Sequence, residues 1–372
     1  MKTRFASLAL LATSVVVSFA VTATANSQDK WGGAKPMFKV IPNNAPGHYA
    51  PVRPAAQLAQ WNGTFKDHHN NTVSYVMVGT DPKTTNTTTT VNVVLIPVKM
   101  IYGAANGNMT FNPKVDTYPN GQIVIANMKK SPIFQSGIDF VQGGTDVGNS
   151  QYIDAYQRAN FWQTNVQNEP NYHVLLNIVK QEKPLKITVQ TAQGKVITNP
   201  FGTIKVGTMD INAFDSQLNT YISGHSADIH PDVLPLFVTD NIYLTSGGCC
   251  IGGYHSARGG APSGQTYSYT TLVTEAKSFS QDVSALSHEI GEWMDDPFTT
   301  NRVHCTDNGI MENGDPLVSL PNYGGYPYKL NGFTYNLQDL VFIEYFGAPE
   351  GSVNNWHDFQ NARPGTLCPG QQ

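Results

Sequence analysis

Within ALSHEIGEWMDDPF, Ala285 to Phe298, one histidine, two glutamates and two aspartates share a short stretch. His288 and Glu292 stand at i and i+4, so on a helix both side chains lie on one face, within reach of a single metal ion. Glu289 projects beside them, where it could act as general base on a water that the ion activates. A catalytic zinc takes three protein ligands and leaves one position open, so a third ligand must come from elsewhere. Downstream, MENGDPL supplies Glu312, which could ligate, and Asp315, which could orient a ligand histidine or ligate itself. His304, Asp295 and Asp296 are rival ligands. A solvated acidic helix face is the ordinary alternative. In a chain with 10 histidines, however, the H-E-x-x-E spacing arises by chance only roughly 0.005 times.

Positioning these groups requires a helix that is buried on one side. Val283, Leu286, Ile290, Trp293 and Met294 form an apolar stripe, Asp282 or Ser280 can cap its start, and Asp296-Pro297 ends it, which predicts a helix over about 283–296. The runs LPLFVTDNIYLT, GGYHSA and QTYSYTTLVT ahead of it read as strands. SQYIDAYQRANFW has helical spacing, with Asp154 four residues before Arg158 as a supporting pair. INAFDSQLNTYI is helical too, with Asn212 as a cap. TVSYVMVG, TTVNVVLIPVKMIYG, NYHVLLNIV and LKITVQTA read as strands, and NYGGYPYKLNGFTYN as a turn-dense loop. In CCIGGYHSARGG, His255 or Tyr254 could hold a developing oxyanion; a turn beside a disulfide is the competing reading.

The His288, Glu289, Glu292 arrangement resembles the H-E-x-x-H helix of zincin metallopeptidases, with Glu292 in place of the second histidine. That resemblance implies zinc as cofactor, held by His288, Glu292 and Glu312. It also implies a peptide or protein substrate paired to an edge strand near CCIGGYHSA. DAYQRANFW, CCIGGYHSA, ALSHEIGEWMDDPF and MENGDPL together resemble a group of secreted bacterial proteins. The histidine-glutamate helix followed by Glu-x-x-Asp is also distantly similar to plant phosphate-induced (exordium-like) proteins, over roughly residues 131–372. The expected fold is α+β: a signal peptide over 1–25, an extended arm or linker over 26–60, a β-rich subdomain over 61–205, and a zincin-like subdomain over 206–372 with a loop-rich C-terminal part.

Lys2 and Arg4, an apolar run and Ala23-Thr24-Ala25 make the signal pattern, with cleavage expected near Ala25 and a secreted or periplasmic product. Losing those two positive charges changes the formal net charge from -4 to -6, and no basic stripe occurs, which argues against nucleic acid and membrane partners. The four cysteines, Cys249, Cys250, Cys305 and Cys368, are expected as disulfides, with pairing left open. Export makes a catalytic cysteine beside His255 the weaker reading. Two other functions compete with a zinc peptidase: a binding protein with a structural metal such as calcium, and a glycosidase using Glu289 and Glu312.

Overall fold

The computed structural model describes residues 33–43, 57–306, 309–349 and 351–370. The expected signal segment and its cleavage point lie outside the described residues. The fold is α+β, built on a mixed sheet of 11 strands. In chain order these are β1 (Met37–Ile41), β2 (Thr88–Tyr102), β3 (Thr110–Phe111), β4 (His173–Gln181), β5 (Leu185–Val189), β6 (Val196–Thr198), β7 (Lys205–Asp210), β8 (Val233–Asp240), β9 (Ile242–Thr245), β10 (Cys249–Arg258) and β11 (Gln265–Leu272). The spine of the sheet runs β6-β7-β9-β10-β11-β8-β2-β3; β4 and β5 pair in parallel with β2, and β1 pairs in parallel with β10. The expected boundary at 205/206 falls inside this sheet, because β6 pairs with β7 and β2 pairs with β8.

Three helices pack on the sheet: α1 (Tyr152–Asn160), α2 (Ile211–Gly224) and α3 (Ser284–Asp295). The two-residue period of β2 divides them between two faces. Val91, Val93 and Leu95 join the cluster containing Leu286, Ile290 and Trp293 of α3, whereas Val94, Ile96 and Val98 join the cluster containing Phe214, Leu218 and Ile222 of α2. Both faces of the sheet are therefore buried, which suits strands such as β8 in which every residue is apolar or inaccessible.

Several local expectations change in the fold. The strand run LPLFVTDNIYLT divides into β8 and β9 at Asn241, whose φ of 52° only a few residue types tolerate. The cap of α2 is Asp210, which accepts the Ala213 N–H at 3.0 Å, and not Asn212. Asp154 and Arg158 are both buried and serve backbone groups instead of each other. Asp154 accepts from the Val174 N–H and lies 2.7 Å from His173 Nδ1; Arg158 donates to the carbonyls of Val147 and Tyr172. The turn-dense stretch is an ordered hairpin, Gly325–Leu330 with Phe333–Gln338, packed against α3. Among the described residues no helix is long and apolar enough to cross a membrane. Cys305 is bridged to Cys368 and Cys249 to Cys250.

Candidate metal centre

The helix α3 begins at Ser284 and ends at Asp295, with Asp296 as its C-cap, close to the sequence expectation. The apolar stripe alone does not describe it, since all twelve residues are buried, including Ser287, His288, Glu289 and Glu292. Burying isolated carboxylates costs several kcal/mol each unless they are paired, protonated or bound to a cation. The polar side of α3 must therefore face compensating groups.

Those groups come from β10, from the segment after α3 and from the hairpin. Strand alternation sends Tyr254 and His255 to opposite faces of β10. Tyr254 points to the α2 side, where its hydroxyl donates to Asp215 Oδ1 at 3.0 Å. It is not brought to the cluster. His255 points to α3, with Nδ1 3.5 Å from Glu289 Oε2 and 3.8 Å from Glu292 Oε2. On the other side of Glu292, His288 Nε2 lies 2.9 Å from Glu292 Oε1 and 3.8 Å from Asp315 Oδ1. Two groups could thus hold a metal ion: His255 with Glu289 and Glu292, and His288 with Glu292 and Asp315. In each, ligand atoms lie within 4.8 Å of one another.

Tetrahedral coordination with bonds of about 2.1 Å places neighbouring ligand atoms about 3.4 Å apart. Separations between 2.9 and 3.8 Å bracket that value. Although His288 Nε2 and Glu292 Oε1 are close, Nε2 makes no aligned hydrogen bond. The ring's other nitrogen is engaged. Nδ1 lies 3.1 Å from Gln338 Oε1, and the Gln338 amide is oriented by donating from Nε2 to the Gly314 carbonyl at 3.1 Å. Nδ1 therefore donates to Gln338, which turns Nε2 toward the carboxylates.

The remaining buried atoms also lack aligned partners. Neither oxygen of Glu289 or Glu312, nor Glu292 Oε2, makes a hydrogen bond. The same holds for both ring nitrogens of His255, although the Asp296 backbone favours its protonated form slightly. Glu312 is buried, and the negative charges acting on it are those of Glu292, Asp315, Asp296 and Glu289. It belongs to the same acidic pocket without joining either group of mutually close ligand atoms. Of the rivals, Asp295 is engaged by Tyr156, Gln157 and Asn313, and Asp296 accepts the Thr300 and Asn301 N–H groups. His304 is exposed and belongs to neither group.

The electrostatics separate the acids. Burial, reinforced by the charges of Glu292 and Asp315, raises the Glu289 pKa well above the ordinary carboxylate value. Burial acts in the same direction on Glu312, with Glu292 the next largest influence. For Glu292 burial also pushes upward, but His288, His255 and the Gly314 N–H outweigh it and hold its pKa below the usual value. Burial lowers His255 to about 4, so its imidazole is neutral, as a metal ligand must be. Glu292 is thus the group that stays ionised, and Glu289 the one that can hold a proton.

Two groups at the site carry no motif in the sequence. Gln338 comes from the hairpin, and Phe38 of β1 stacks on His288 with ring centroids 3.6 Å apart and planes tilted by 24°. Gly314 has three uses: its N–H donates to Glu292 Oε1 at 3.0 Å, its carbonyl holds Gln338, and it leaves room for the imidazole. A Cβ there would sit 2.2 Å from His288 Nδ1. Comparison with family models, curated proteins and solved structures finds no match to this chain.

Proposed function

We propose that the protein is an exported zinc-dependent hydrolase of peptide bonds. His288 Nε2 and Glu292 would hold the ion together with Asp315 or Glu312, and His255 completes the surroundings from β10. The observation that carries this reading is the convergence of two imidazoles and several buried carboxylates on one pocket, most of their atoms lacking hydrogen-bond partners. Mixed nitrogen and oxygen donors at these spacings suit zinc, whereas calcium takes six to eight oxygens. A bound zinc would supply Lewis acidity at the substrate carbonyl. Glu289 takes the proton of the attacking water and passes it to the leaving amine, a role suited to a carboxyl whose pKa lies above its ordinary range. His255, neutral and fixed on a strand, can donate a hydrogen bond to developing negative charge.

A second reading has one observation in its favour. His288, Glu289, Glu292 and His255 have 0% exposure, with Asp315 exposed at the rim, and an enclosed centre is the pattern of a structural metal. Glu289→Gln separates the two. For the hydrolase, elemental analysis finds one equivalent of zinc in both wild type and variant, with turnover lowered by about 10² to 10⁴. His288→Ala loses the metal. Stoichiometric metal with no cleavage of any peptide library would establish the structural centre instead, and undiminished hydrolysis in Glu289→Gln would remove Glu289 from its role.

A further inference from the structure

A hydrolase needs access to its reacting atoms, yet the centre is covered, and the cover is identifiable. β10 is ten residues long, while its neighbour β9 pairs only at Leu244↔Ile251 and Thr245↔Cys249. Beyond that point the edge of β10 is taken by β1, in the register Lys39↔Tyr254, Val40↔His255 and Ile41↔Ser256. An edge left open in this way is where an extended chain adds by main-chain pairing.

β1 is held along its whole length. At one end Lys35 N–H donates to the Cys249 carbonyl at 2.8 Å, and Cys250 N–H returns a bond to Lys35 O at 2.7 Å. At the other end Ser256 Oγ donates to Ile41 O at 2.6 Å, and Asn43 Nδ2 to Gly259 O at 2.7 Å. Between them Phe38 and Val40 turn inward and are buried, and Phe38 lies flat on the imidazole of His288. Gly252 gives the ring its room, since a Cβ there would sit 3.1 Å from Phe38 Cε1. β1 also walls a cavity of about 600 Å³ whose opposite side includes Asp315, Val318 and Tyr323. One side chain of the centre therefore lines a cavity whose other wall is this strand.

We propose that the edge of β10 is a binding site for extended peptide, with an aromatic or large apolar side chain over His288, and that β1 is its tethered resident occupant. This rests on reading the cluster as a catalytic metal centre. The resident strand shows the recognition chemistry directly: main-chain pairing at 254–256, clamps on its carbonyls, and an apolar seat above the imidazole. An incoming peptide pairs with β10 and reaches the buried His255 and His288 only when β1 leaves its edge, so the state with β1 in place, in which Asp315 alone of the centre is exposed, is the closed form of the enzyme.

The test uses the full chain loaded with zinc. Transfer of zinc to an excess of chelator is compared between wild type and Phe38→Ala, which opens the seat. Transfer should quicken on the order of tenfold or more in the variant. A synthetic peptide KPMFKVIP should slow it again, and the same peptide with alanine for phenylalanine should not. Hydrogen exchange of the 251–256 amides, measured without metal, should speed up in the variant and slow on adding the peptide. Equal rates in both proteins, or no effect of the peptide, would overturn the proposal. Should Phe38→Ala fail to fold, Asn43→Ala with Ser256→Ala loosens one end of β1 without emptying the apolar seat and should give the same ordering. Zinc absent from wild type sinks the metal-centre reading, and the amide exchange then decides the fate of β1 by itself.

Discussion

At the scale of single residues, the centre depends on groups that touch no ion. Gln338 fixes the tautomer and plane of His288 through Oε1, and is itself fixed by Gly314. Gln338→Ala should therefore weaken metal affinity by about 10- to 100-fold. Titration of the folded variant with zinc checks this, and unaltered affinity would show that the imidazole is held by packing alone. Asp295 illustrates a different constraint. Tyr156 has one hydroxyl proton but two acceptors at 2.7 Å, Asp295 Oδ2 and the Val341 carbonyl, and it also receives the Asn313 amide at 2.7 Å. The Val341 carbonyl also accepts from the Asn313 amide at 3.0 Å, so Tyr156, Asn313, Asp295 and this carbonyl form one buried network. Burial raises the Asp295 pKa to about 7 against the hydrogen bonds from Tyr156 and Gln157, which lower it. The folded state thus keeps a proton that the unfolded state releases near pH 4, and stability falls as pH rises from about 4 to about 7, then levels. Asp295→Asn should lessen that slope, leaving the part due to Asp296, which burial raises to about 8, and to the other carboxyls that burial raises, Glu289 and Glu312 among them. Urea unfolding at pH 4.5 and pH 7 is the measurement; an identical loss in both proteins would refute the assignment. His288 and Glu292 were legible because i and i+4 is a local relation. His255 was named from the sequence as a possible oxyanion holder, but its closeness to Glu289 and Glu292, like the support of Gln338, was not legible, because only the sheet and the hairpin bring positions 255, 288 and 338 together.

Secondary elements show the same division between local and distant causes. The apolar spacing of α3 located the helix within two residues, and the alternation of β2 and the apolar run of β8 matched their strands. The ordinary alternative of a solvated acidic face does not hold for α3, because the hairpin and the strands on either side enclose the polar face as well. That hairpin was visible in the sequence and went unread. Asn331-Gly332 lies between Leu330 and Phe333, and both residues have positive φ, 50° and 78°, as a tight two-residue turn requires. The density of tyrosine and glycine around it disguised a strong turn signal as a loop. Close approach between β10 and α3 is set by Gly253, where a Cβ would sit 2.6 Å from Glu289 Cγ. Gly253→Ala must displace the Glu289 side chain while leaving His288 and its support in place. Turnover should drop by about tenfold or more, as a displaced catalytic group by 1 Å costs that or more. Zinc content should stay at the wild-type level. Loss of zinc together with turnover would mean that Glu289 contributes to holding the ion, through the His255 group.

Over the whole molecule, the sheet is the frame and the C-terminal third is the clasp. Strands from both halves of the chain interleave in one sheet, so the centre is not the property of a separable segment. The composition and strand patterns were enough to indicate an α+β protein, but sequence order carries no information on which strands will be neighbours across a parallel pairing. The clasp is covalent. Cys305 and Cys368 are 63 residues apart in sequence, and the loop they close contains Glu312, Gly314, Asp315 and Gln338. Cross-linking a loop of that length removes denatured-state entropy equivalent to about 4 kcal/mol, a figure that depends on the chain-entropy account. Two effects of replacing both cysteines by serine can then be separated. If the bridge acts through the unfolded chain, Cys305→Ser with Cys368→Ser should lower the unfolding free energy by about that amount, while zinc affinity measured well below the unfolding transition stays at the wild-type value. If it instead holds Asp315 and Gln338 in place, affinity should fall with stability. The hydrogen-bonded contacts of Gln338 with His288, Gly314 and Ser287 are made without help from either cysteine. The first outcome is therefore expected, and a parallel loss of affinity would show that the native geometry of the centre is stored in the bridge.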